Sequence, residues 1–539
     1  MNGKFLIRTF GCQMNEHDSE RLAGLLVAEG MEPTQDAEDA DVVLLNTCCI
    51  RENADNRLYG TLGHLKSLQA RKPGMQIAVG GCLAQKDRGT IQERAGYVDV
   101  VFGTHNIDRA AALLSQSRAT GAAVMEILDQ AVLDEDTAFP SALPAQRNSD
   151  ISAWVTVQIG CDNNCAFCIV PSVRGREISR PFGEIVAEVE GLARVGVSEV
   201  TLLGQNVNSY GRDITSALRK TFRDGEGDLA DADRASPMWR AGAGWAGSGS
   251  RRPRPLFADL LRAVGAVEGI DRVRFTSPHP KDLRPETIAA MAETRSVCEH
   301  LHLPLQSGSD EVLARMHRGY TAARYLERLA RARSEVVDLA VTTDIIVGFP
   351  GESDKDFAAT LEVAAEVGYD SAYTFIYSPR PGTQAAAMTD RFVDPSVVAD
   401  RFERLKVVLE RSALSRHRER IDRVEEVLVE GPSKRDGAML TGRTRQNKLL
   451  HFPDPDPDRD PDRDRDRDRG PDPNADRPAG PGGHAGIDPS APAQVRRGSV
   501  VHVRVTGAAP HHLTGELVAR PAPSRSSGHR RLSIPVRAG

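Results

Sequence analysis

GCDNNCAFC, from Gly160 to Cys168, sets three thiols at CxxxCxxC spacing. Three thiolates so placed can ligate three irons of a cubane iron-sulfur cluster and leave the fourth iron without a protein ligand. An open iron is of no use to a cluster that only holds a fold together; a cluster that chelates a small molecule needs one. A structural zinc site is the competing reading, but it wants four protein ligands, and no fourth Cys or His lies nearby in the chain. Gly160 suits a cluster by letting the backbone approach a sulfide, and Phe167 by offering an apolar wall that limits solvent access.

The loop sits in a chain of 539 residues, long enough for about three to four domains. Its 40% hydrophobic and 27% charged content is ordinary for a soluble globular protein. The opening segment Met1–Phe10 is too short, and too soon interrupted by Arg8, to be a secretory apolar region, and no later apolar run approaches the length of a membrane span. A cytoplasmic protein with no membrane partner is expected, and its eight cysteines are expected as ligands rather than disulfides. The net charge of -6 hides an uneven distribution. From Arg496 onward eight arginines face the single acidic residue Glu516, while the run from Asp454 to Asp476 is rich in aspartate. The total therefore excludes no nucleic-acid partner.

The N-terminal part alternates strands and helices. Lys4–Phe10, Asp41–Asn46 and Gln76–Gly80 read as strands, and His17–Gly30 as a helix with Leu22, Leu25 and Leu26 on one face. Short apolar runs separated by helices are the pattern of a parallel sheet in an α/β domain. A cysteine follows each strand: Cys12, Cys48 and Cys82. Ligands gather at the carboxyl ends of parallel strands, so three thiols distant in sequence can converge there as a second cluster site. Taken singly, each would be a buried small hydrophobe. Cys49 sits beside Cys48 and would point the other way in an extended segment, so the two compete for the role, and Cys48 is favoured. Cys298 reads as a core residue.

These features carry a close family resemblance. The Gly160–Cys168 loop resembles that of radical S-adenosylmethionine (SAM) enzymes, whose open iron takes the amino and carboxyl groups of SAM. TFGCQMN (Thr9–Asn15), DSERL (Asp18–Leu22), NTCCIRENA (Asn46–Ala54) and GGCLAQ (Gly80–Gln85) resemble the N-terminal domain of the methylthiotransferases, above all the tRNA branch that modifies isopentenyl-adenosine. IVPSVRGRE from Ile169, LLGQNVNSY from Leu202, SPHP from Ser277, HLPLQSGS from His302, MHRGYT from Met316, TTDIIVGFPGE from Thr342 and YSPRPGT from Tyr377 follow in the family's order.

The resemblance implies an α/β multidomain protein. Its parts would be a flavodoxin-like N-terminal parallel sheet (1–120), a linker (121–150), a central partial (β/α) radical SAM barrel (151–385), a helical linker (386–421), a small OB-like TRAM β-barrel (422–520) and a basic tail (521–539). Within the central part, Val200–Gly204, Val273–Thr276, His300–Leu303 and Thr343–Gly348 read as strands. Polar residues at or near their ends would line the barrel mouth. Gly204, Gln205, Asn206, Gln306, Ser307 and Gly348 are therefore candidates for contacting SAM or the nucleobase.

Two segments depart from the family pattern. About 212–254 is rich in Gly, Ala, Arg and Ser without sustained period, and about 453–493 alternates Asp with Pro or Arg and cannot build a core. The second splits a domain whose short strands read as Glu426–Glu430, Met439–Thr444, Lys448–Phe452, Val500–Thr506 and Leu513–Val518. GPSKR from Gly431 and GRTRQN from Gly442 resemble TRAM segments, and Lys434, Arg443, Arg445 and Lys448 supply charge suited to RNA phosphates. A helix from about Val393 to Arg420, with Phe402, Leu405 and Leu409 at helical spacing, would precede it.

The chemistry follows from the resemblance. Two 4Fe-4S clusters and SAM are implied as cofactors. The cluster on Cys161, Cys165 and Cys168 would reduce SAM to yield a 5'-deoxyadenosyl radical. The cluster on Cys12, Cys48 and Cys82 would present a sulfur atom for methylation and transfer to carbon 2 of the adenine. Reaching that carbon requires the base to leave the stack of the tRNA anticodon loop. An electron donor of flavodoxin or ferredoxin type, a sulfur donor and a monomeric state are further expectations. Sister enzymes acting on threonylcarbamoyl-adenosine in tRNA, or on a ribosomal-protein aspartate, are alternatives that Gln13, Met14 and Asn15 disfavour. An RNA-binding iron-sulfur carrier without turnover is the alternative from another class.

Overall fold

A computed structural model describes residues 3–49, 52–128, 145–147, 149–213, 256–455 and 495–519. Most of both departing segments (214–255 and 456–494), Ile50 and Arg51 of NTCCIRENA, most of the linker before the barrel and the basic tail lie outside the described residues. The chain divides into two compact units, Met1–Val367 with Ala372–Leu409, and Gly368–Ser371 with Glu410–Gly539.

The first unit opens with six parallel strands: β1 (Gly3–Phe10), β2 (Met31–Pro33), β3 (Val42–Thr47), β4 (Gln76–Gly81), β5 (Val100–Phe102) and β6 (Val124–Glu126), ordered β2-β1-β3-β4-β5-β6. This is the flavodoxin-like strand order with one strand added. β2, β5 and β6, three residues each, are strands that the sequence analysis did not read. The first helix, α1 (Gln13–Ala28), starts earlier than the expected His17, directly after Cys12. Strand residues alternate between two apolar cores, as a period of two requires. Leu6, Val43, Leu45, Ile77 and Val79 pack with Leu58, Leu62 and Leu65 of α2 (Glu52–Arg71) on one face. Phe5, Val42, Leu44, Ala78 and Val100 pack with Leu22 and Leu26 of α1 on the other. Full burial of each such leucine stabilises the fold by roughly 1.5–3 kcal/mol.

The central part contains two three-stranded sheets. One has the order β11-β10-β7, all parallel, from β7 (Ser152–Thr156), β10 (Glu199–Leu203) and β11 (Arg272–Phe275). The other has the order β12-β13-β14, from β12 (His300–His302), β13 (Ala340–Val347) and β14 (Ser371–Ile376), with β12 and β13 parallel. A parallel bridge joins Val273 of β11 to Val297, three residues before β12, and β8 (Gln158–Ile159) with β9 (Ile178–Ser179) forms a small antiparallel pair. Helices Phe182–Arg194, Phe257–Gly265, Pro285–Glu293, Ala322–Glu335 and Asp354–Val367 stand between successive strands, as in a partial (β/α) barrel. Cys298 is fully buried. Arg212 and Asp213, placed at the edge of an expected insertion, are folded residues: Arg212 pairs with Asp282 at 2.5 Å, and the Ser179 amide donates to Asp213 at 2.8 Å.

In the second unit five strands close a barrel in the order β15-β16-β17-β19-β18. They are β15 (Val424–Pro432), β16 (Met439–Thr444), β17 (Leu449–Pro453), β18 (Val500–Ala508) and β19 (Leu513–Ala519), antiparallel except for β17 with β19. Val427, Val429, Leu440, Leu450, Phe452, Val501 and Val503 fill it. The preceding helix spans Pro395–Arg418, with Leu405 and Leu409 buried. No helix among the described residues is long and apolar enough to cross a membrane.

Candidate cluster and cofactor sites

The three N-terminal cysteines stand at the carboxyl ends of adjacent strands. Phe10, Thr47 and Gly81 are register partners across β1, β3 and β4, and Cys12, Cys48 and Cys82 follow them by one or two residues. The Cys48 amide donates to the Phe10 carbonyl at 2.8 Å, and the Thr47 hydroxyl to the Gly80 carbonyl at 2.9 Å. Two buried asparagines bind the loops together: Asn15 donates to the Thr47 carbonyl at 3.3 Å, and Asn46 to the Asn15 carbonyl at 2.8 Å and to Ser19 at 2.9 Å. Both fall inside the family motifs; Asn15 was read there only as a mark of the tRNA branch, and Asn46 was not singled out.

The thiols form two contacting pairs. Cys12 hydrogen-bonds to Cys48, and this, against the opposing effect of burial, lowers its pKa to about 6; the charge of Arg174 adds to the lowering. Cys49 hydrogen-bonds to Cys82, which lowers Cys82 and, together with burial, raises Cys49 well above the usual thiol range. Cys48 thus faces Cys12, while Cys49 faces Cys82 and the apolar core. No three His, Cys, Asp or Glu side chains among the described residues stand close enough to hold a single metal ion. A cubane makes no such demand, because each thiolate takes a different iron.

In the Gly160–Cys168 loop, Cys161 is buried and Cys165 and Cys168 are partly exposed. Burial pushes the Cys161 thiol up to about 11 and that of Cys168 to about 12, so metal binding there must release protons. Gly160 has no room for a side chain against the neighbouring backbone. It has φ +70°, and a Cβ on it would stand 1.9 Å from the Arg176 carbonyl oxygen, so the glycine lets residues 175–176 pack against the loop. Phe167 packs on the core of Ala166, Val312, Met316, Phe349 and Ala385.

Residues far along the chain complete this site. Arg318, from MHRGYT, donates to the Cys165 sulfur at 3.3 Å and to the Tyr320 hydroxyl at 3.2 Å. Lys281 bonds the Asn163 side chain, and His317 the Asn164 carbonyl at 3.2 Å. His279 lies against Tyr320 with ring centroids 5.7 Å apart. Burial, reinforced by Arg318, Lys281 and Arg328, holds His279 neutral. Its Nδ1 accepts from the Lys281 amide at 3.2 Å, leaving the proton on Nε2, a buried atom with no partner among the described residues. Burial also pushes the Glu177 carboxyl up to about 7, with Asp213, Asp162 and Asp282 adding to the rise.

The cofactor candidates separate into two groups. Asn206 is buried, donates to Asp282 at 2.8 Å and keeps Oδ1 without a partner among the described residues; Gln306, at φ +65°, keeps Oε1 in the same state. Thr156 Oγ1 and Gln158 Oε1 are likewise buried without partners. These orphaned atoms stand at or just beyond the carboxyl ends of barrel strands and suit a polar ligand with many hydrogen-bonding groups. Gly204 is buried after β10 and Gln205 half-buried beside it. Ser307 and Gly348 do not fit the ligand role expected of them. The Ser307 hydroxyl bonds Thr360 at 3.2 Å and the Ser309 amide at 3.2 Å. At Gly348, φ +76°, a Cβ would meet Val398 at 2.6 Å, so this glycine admits the following helix.

On the small barrel, Lys434 is exposed, Arg445 half-buried, and Arg443 pairs with Glu430 at 3.0 Å. Lys448 is no phosphate contact: it is buried and paired with Asp370 at 2.6 Å.

Comparison with known proteins gives two family matches: the uncharacterized protein family UPF0004 over residues 4–103, and the radical SAM superfamily over residues 155–364. A protein named tRNA-2-methylthio-N(6)-dimethylallyladenosine synthase from Parafrankia sp. (strain EAN1pec) is 48% identical over 520 residues, covering 96% of this chain and 90% of its own. One of the same name from Acidothermus cellulolyticus is 51% identical over 451 residues, covering 83% of this chain and 82% of its own. Among solved structures, a radical S-adenosylmethionine methyltransferase from Kitasatospora setae shares 13% identity over 71% of this chain and 75% of its own, at a TM-score of 0.47.

Proposed function

Since the chain belongs to the radical SAM methylthiotransferase family whose members carry the name tRNA-2-methylthio-N(6)-dimethylallyladenosine synthase, we propose that its thiols divide between two 4Fe-4S clusters, Cys161, Cys165 and Cys168 holding one and Cys12, Cys48 and Cys82 the other. The reaction puts a methylthio group on carbon 2 of N6-isopentenyladenosine in tRNA. When bound, the two clusters and SAM supply the electron, the radical and the sulfur atom that this unactivated carbon requires.

The protein's residues bind and orient. The observation that carries the reading is the placing of Cys12, Cys48 and Cys82 at the carboxyl ends of three adjacent parallel strands. Arg318 donates to the Cys165 sulfur, a hydrogen bond that orients this ligand. Asn206, Gln306, Thr156, Gln158 and His279 offer unpartnered polar atoms to SAM and the base, with Gly204 and Gln205 beside them. Ser307 and Gly348 shape the mouth from behind. Lys434, Arg443 and Arg445 contact tRNA phosphates at the anticodon loop, and Lys448 does not. The domain limits of 1–120, 151–385 and 422–520, a monomeric state, a cytoplasmic location, a flavodoxin or ferredoxin as reductant and a separate sulfur donor belong to the same reading.

Mass spectrometry of nucleosides from a deletion strain tests it. The 2-methylthio-isopentenyladenosine should vanish and its unmethylthiolated precursor accumulate, with restoration by the intact gene. Retention of the methylthio nucleoside would overturn the assignment.

A further inference from the structure

The helix Val170–Arg174 begins two residues after Cys168 and runs into the N-terminal domain. Ile169 and Val173 share an apolar core with Cys49, Cys82 and Leu83, and the Thr104 hydroxyl donates to the Val173 carbonyl at 2.5 Å. At its end Arg174 donates to Asp18 at 2.7 Å, and Asp18 stands on α1, the helix that Cys12 caps. Both partners are buried, with side chains 7% and 4% exposed. Burying an ion pair costs desolvation that a surface pair avoids, so stability alone is a weak reason for one here. The pair joins the Cys12 helix to a helix packed on the core around Cys82, so the Arg174 cation stands between the elements that carry both thiols.

We propose that Arg174 is a positioning residue for the N-terminal cluster: brought in by the same loop that carries Cys161, Cys165 and Cys168, it fixes one positive charge beside the Cys12 and Cys82 sulfurs. The proposal rests on the reading that Cys12, Cys48 and Cys82 hold that cluster. Three thiolates and an added sulfur ligand make such a site anionic in surroundings of low dielectric, where one opposite charge has a large effect. A guanidinium suits the task because it stays protonated when buried. Asp18 orients it and partly opposes its field. The anionic site is then complete only when the SAM-binding core is docked on the N-terminal domain, which ties sulfur delivery to the presence of the radical site.

The test uses the full chain with Cys161, Cys165 and Cys168 changed to alanine, so that only the N-terminal site is loaded, and follows its reduction by potentiometric titration with EPR detection. Reduction adds negative charge, so Arg174→Gln should lower the midpoint potential and Asp18→Asn should raise it, while Arg174→Lys restores most of the parent value. Binding of added sodium sulfide should weaken about tenfold or more in Arg174→Gln, in keeping with the loss of a neighbouring unit charge. Shifts of the same sign in both variants, or no shift in either, would overturn the proposal, because a purely structural role predicts no opposition of sign. Should Arg174→Gln fail to fold, an Asp18→Asn potential at or below the parent value overturns it alone. If the parent takes up no iron, the ligand reading itself fails, and this proposal with it.

Discussion

Changing Lys448 to methionine tests whether this side chain belongs to the barrel's interior or to its RNA surface. The ammonium lies 2.6 Å from Asp370, with the two side chains only 3% and 9% exposed. A second buried pair, Arg420 with Glu425 at 2.6 Å, lies close enough to act on the Lys448 charge. Methionine keeps most of the length of the side chain and removes the charge that faces the buried Asp370 carboxylate. Breaking a buried pair from one side costs about 3–5 kcal/mol. In an exchange measurement that is on the order of a hundred- to several-thousand-fold faster opening. Hydrogen-exchange mass spectrometry of peptides covering Val424–Pro432 and Leu449–Pro453 reads this directly. The double change Lys448→Met with Asp370→Leu should recover most of the protection, since a pair replaced by apolar residues of similar volume is often neutral or stabilising. The salt dependence of tRNA binding by the double variant should match the parent, whereas Lys434→Ala should reduce the salt slope by about one. Unchanged exchange in Lys448→Met together with a reduced salt slope in the double variant would refute the buried-pair argument and return Lys448 to the phosphate surface.

Other expectations follow from the sites. Cys161→Ala should abolish SAM cleavage, whereas Cys12→Ala should still release 5'-deoxyadenosine but form no methylthio nucleoside; equal loss of SAM cleavage in both contradicts the division of labour. Gly160→Ala would force a methyl to within 1.9 Å of the Arg176 carbonyl oxygen at φ +70°, so iron analysis should find the core loop unloaded and the N-terminal site still filled; full loading of both refutes the packing argument. Glu177 is raised by burial from 4.5 to about 7. It therefore favours folding fully below about pH 4.5 and loses that contribution as the pH rises through 7, on the order of 3 kcal/mol by pH 8. Urea unfolding of the metal-free protein between pH 5 and 8 should show a decline that Glu177→Gln flattens, and an identical decline in the variant would refute it.

How much of this was legible in the sequence depended on the range of the interaction that placed each residue. Cys12, Cys48 and Cys82 could be grouped because each follows a strand, and a parallel sheet puts all carboxyl ends on one side. All five strands of the small barrel and four of the six in the central sheets were legible because apolar runs and their turns are local, whereas β7 and β14 were not read, nor were β2, β5 and β6, which hold three residues each. Polar residues at strand ends were a mixed guide. Asn206 and Gln306 keep unpartnered atoms, but Ser307 and Gly348 are taken up by Thr360 and Val398, contacts 53 and 50 positions away. Lys448 looked like a surface cation because nothing near it in the chain announces Asp370, 78 residues earlier. Arg318 and Arg174 were missed for the same reason. Their partners, Cys165 and Asp18, lie 153 and 156 positions away, and only the fold makes them neighbours.

Iron and sulfide analysis with Mössbauer spectroscopy on anaerobically reconstituted full-length protein goes most directly to the central claim that two separate thiol triads each hold a cluster. About eight irons per chain are predicted, all in cubane clusters, falling to about four when Cys12, Cys48 and Cys82 are replaced by alanine and to about four when Cys161, Cys165 and Cys168 are. About four irons in the unaltered protein, with none lost on removing the N-terminal triad, would contradict it.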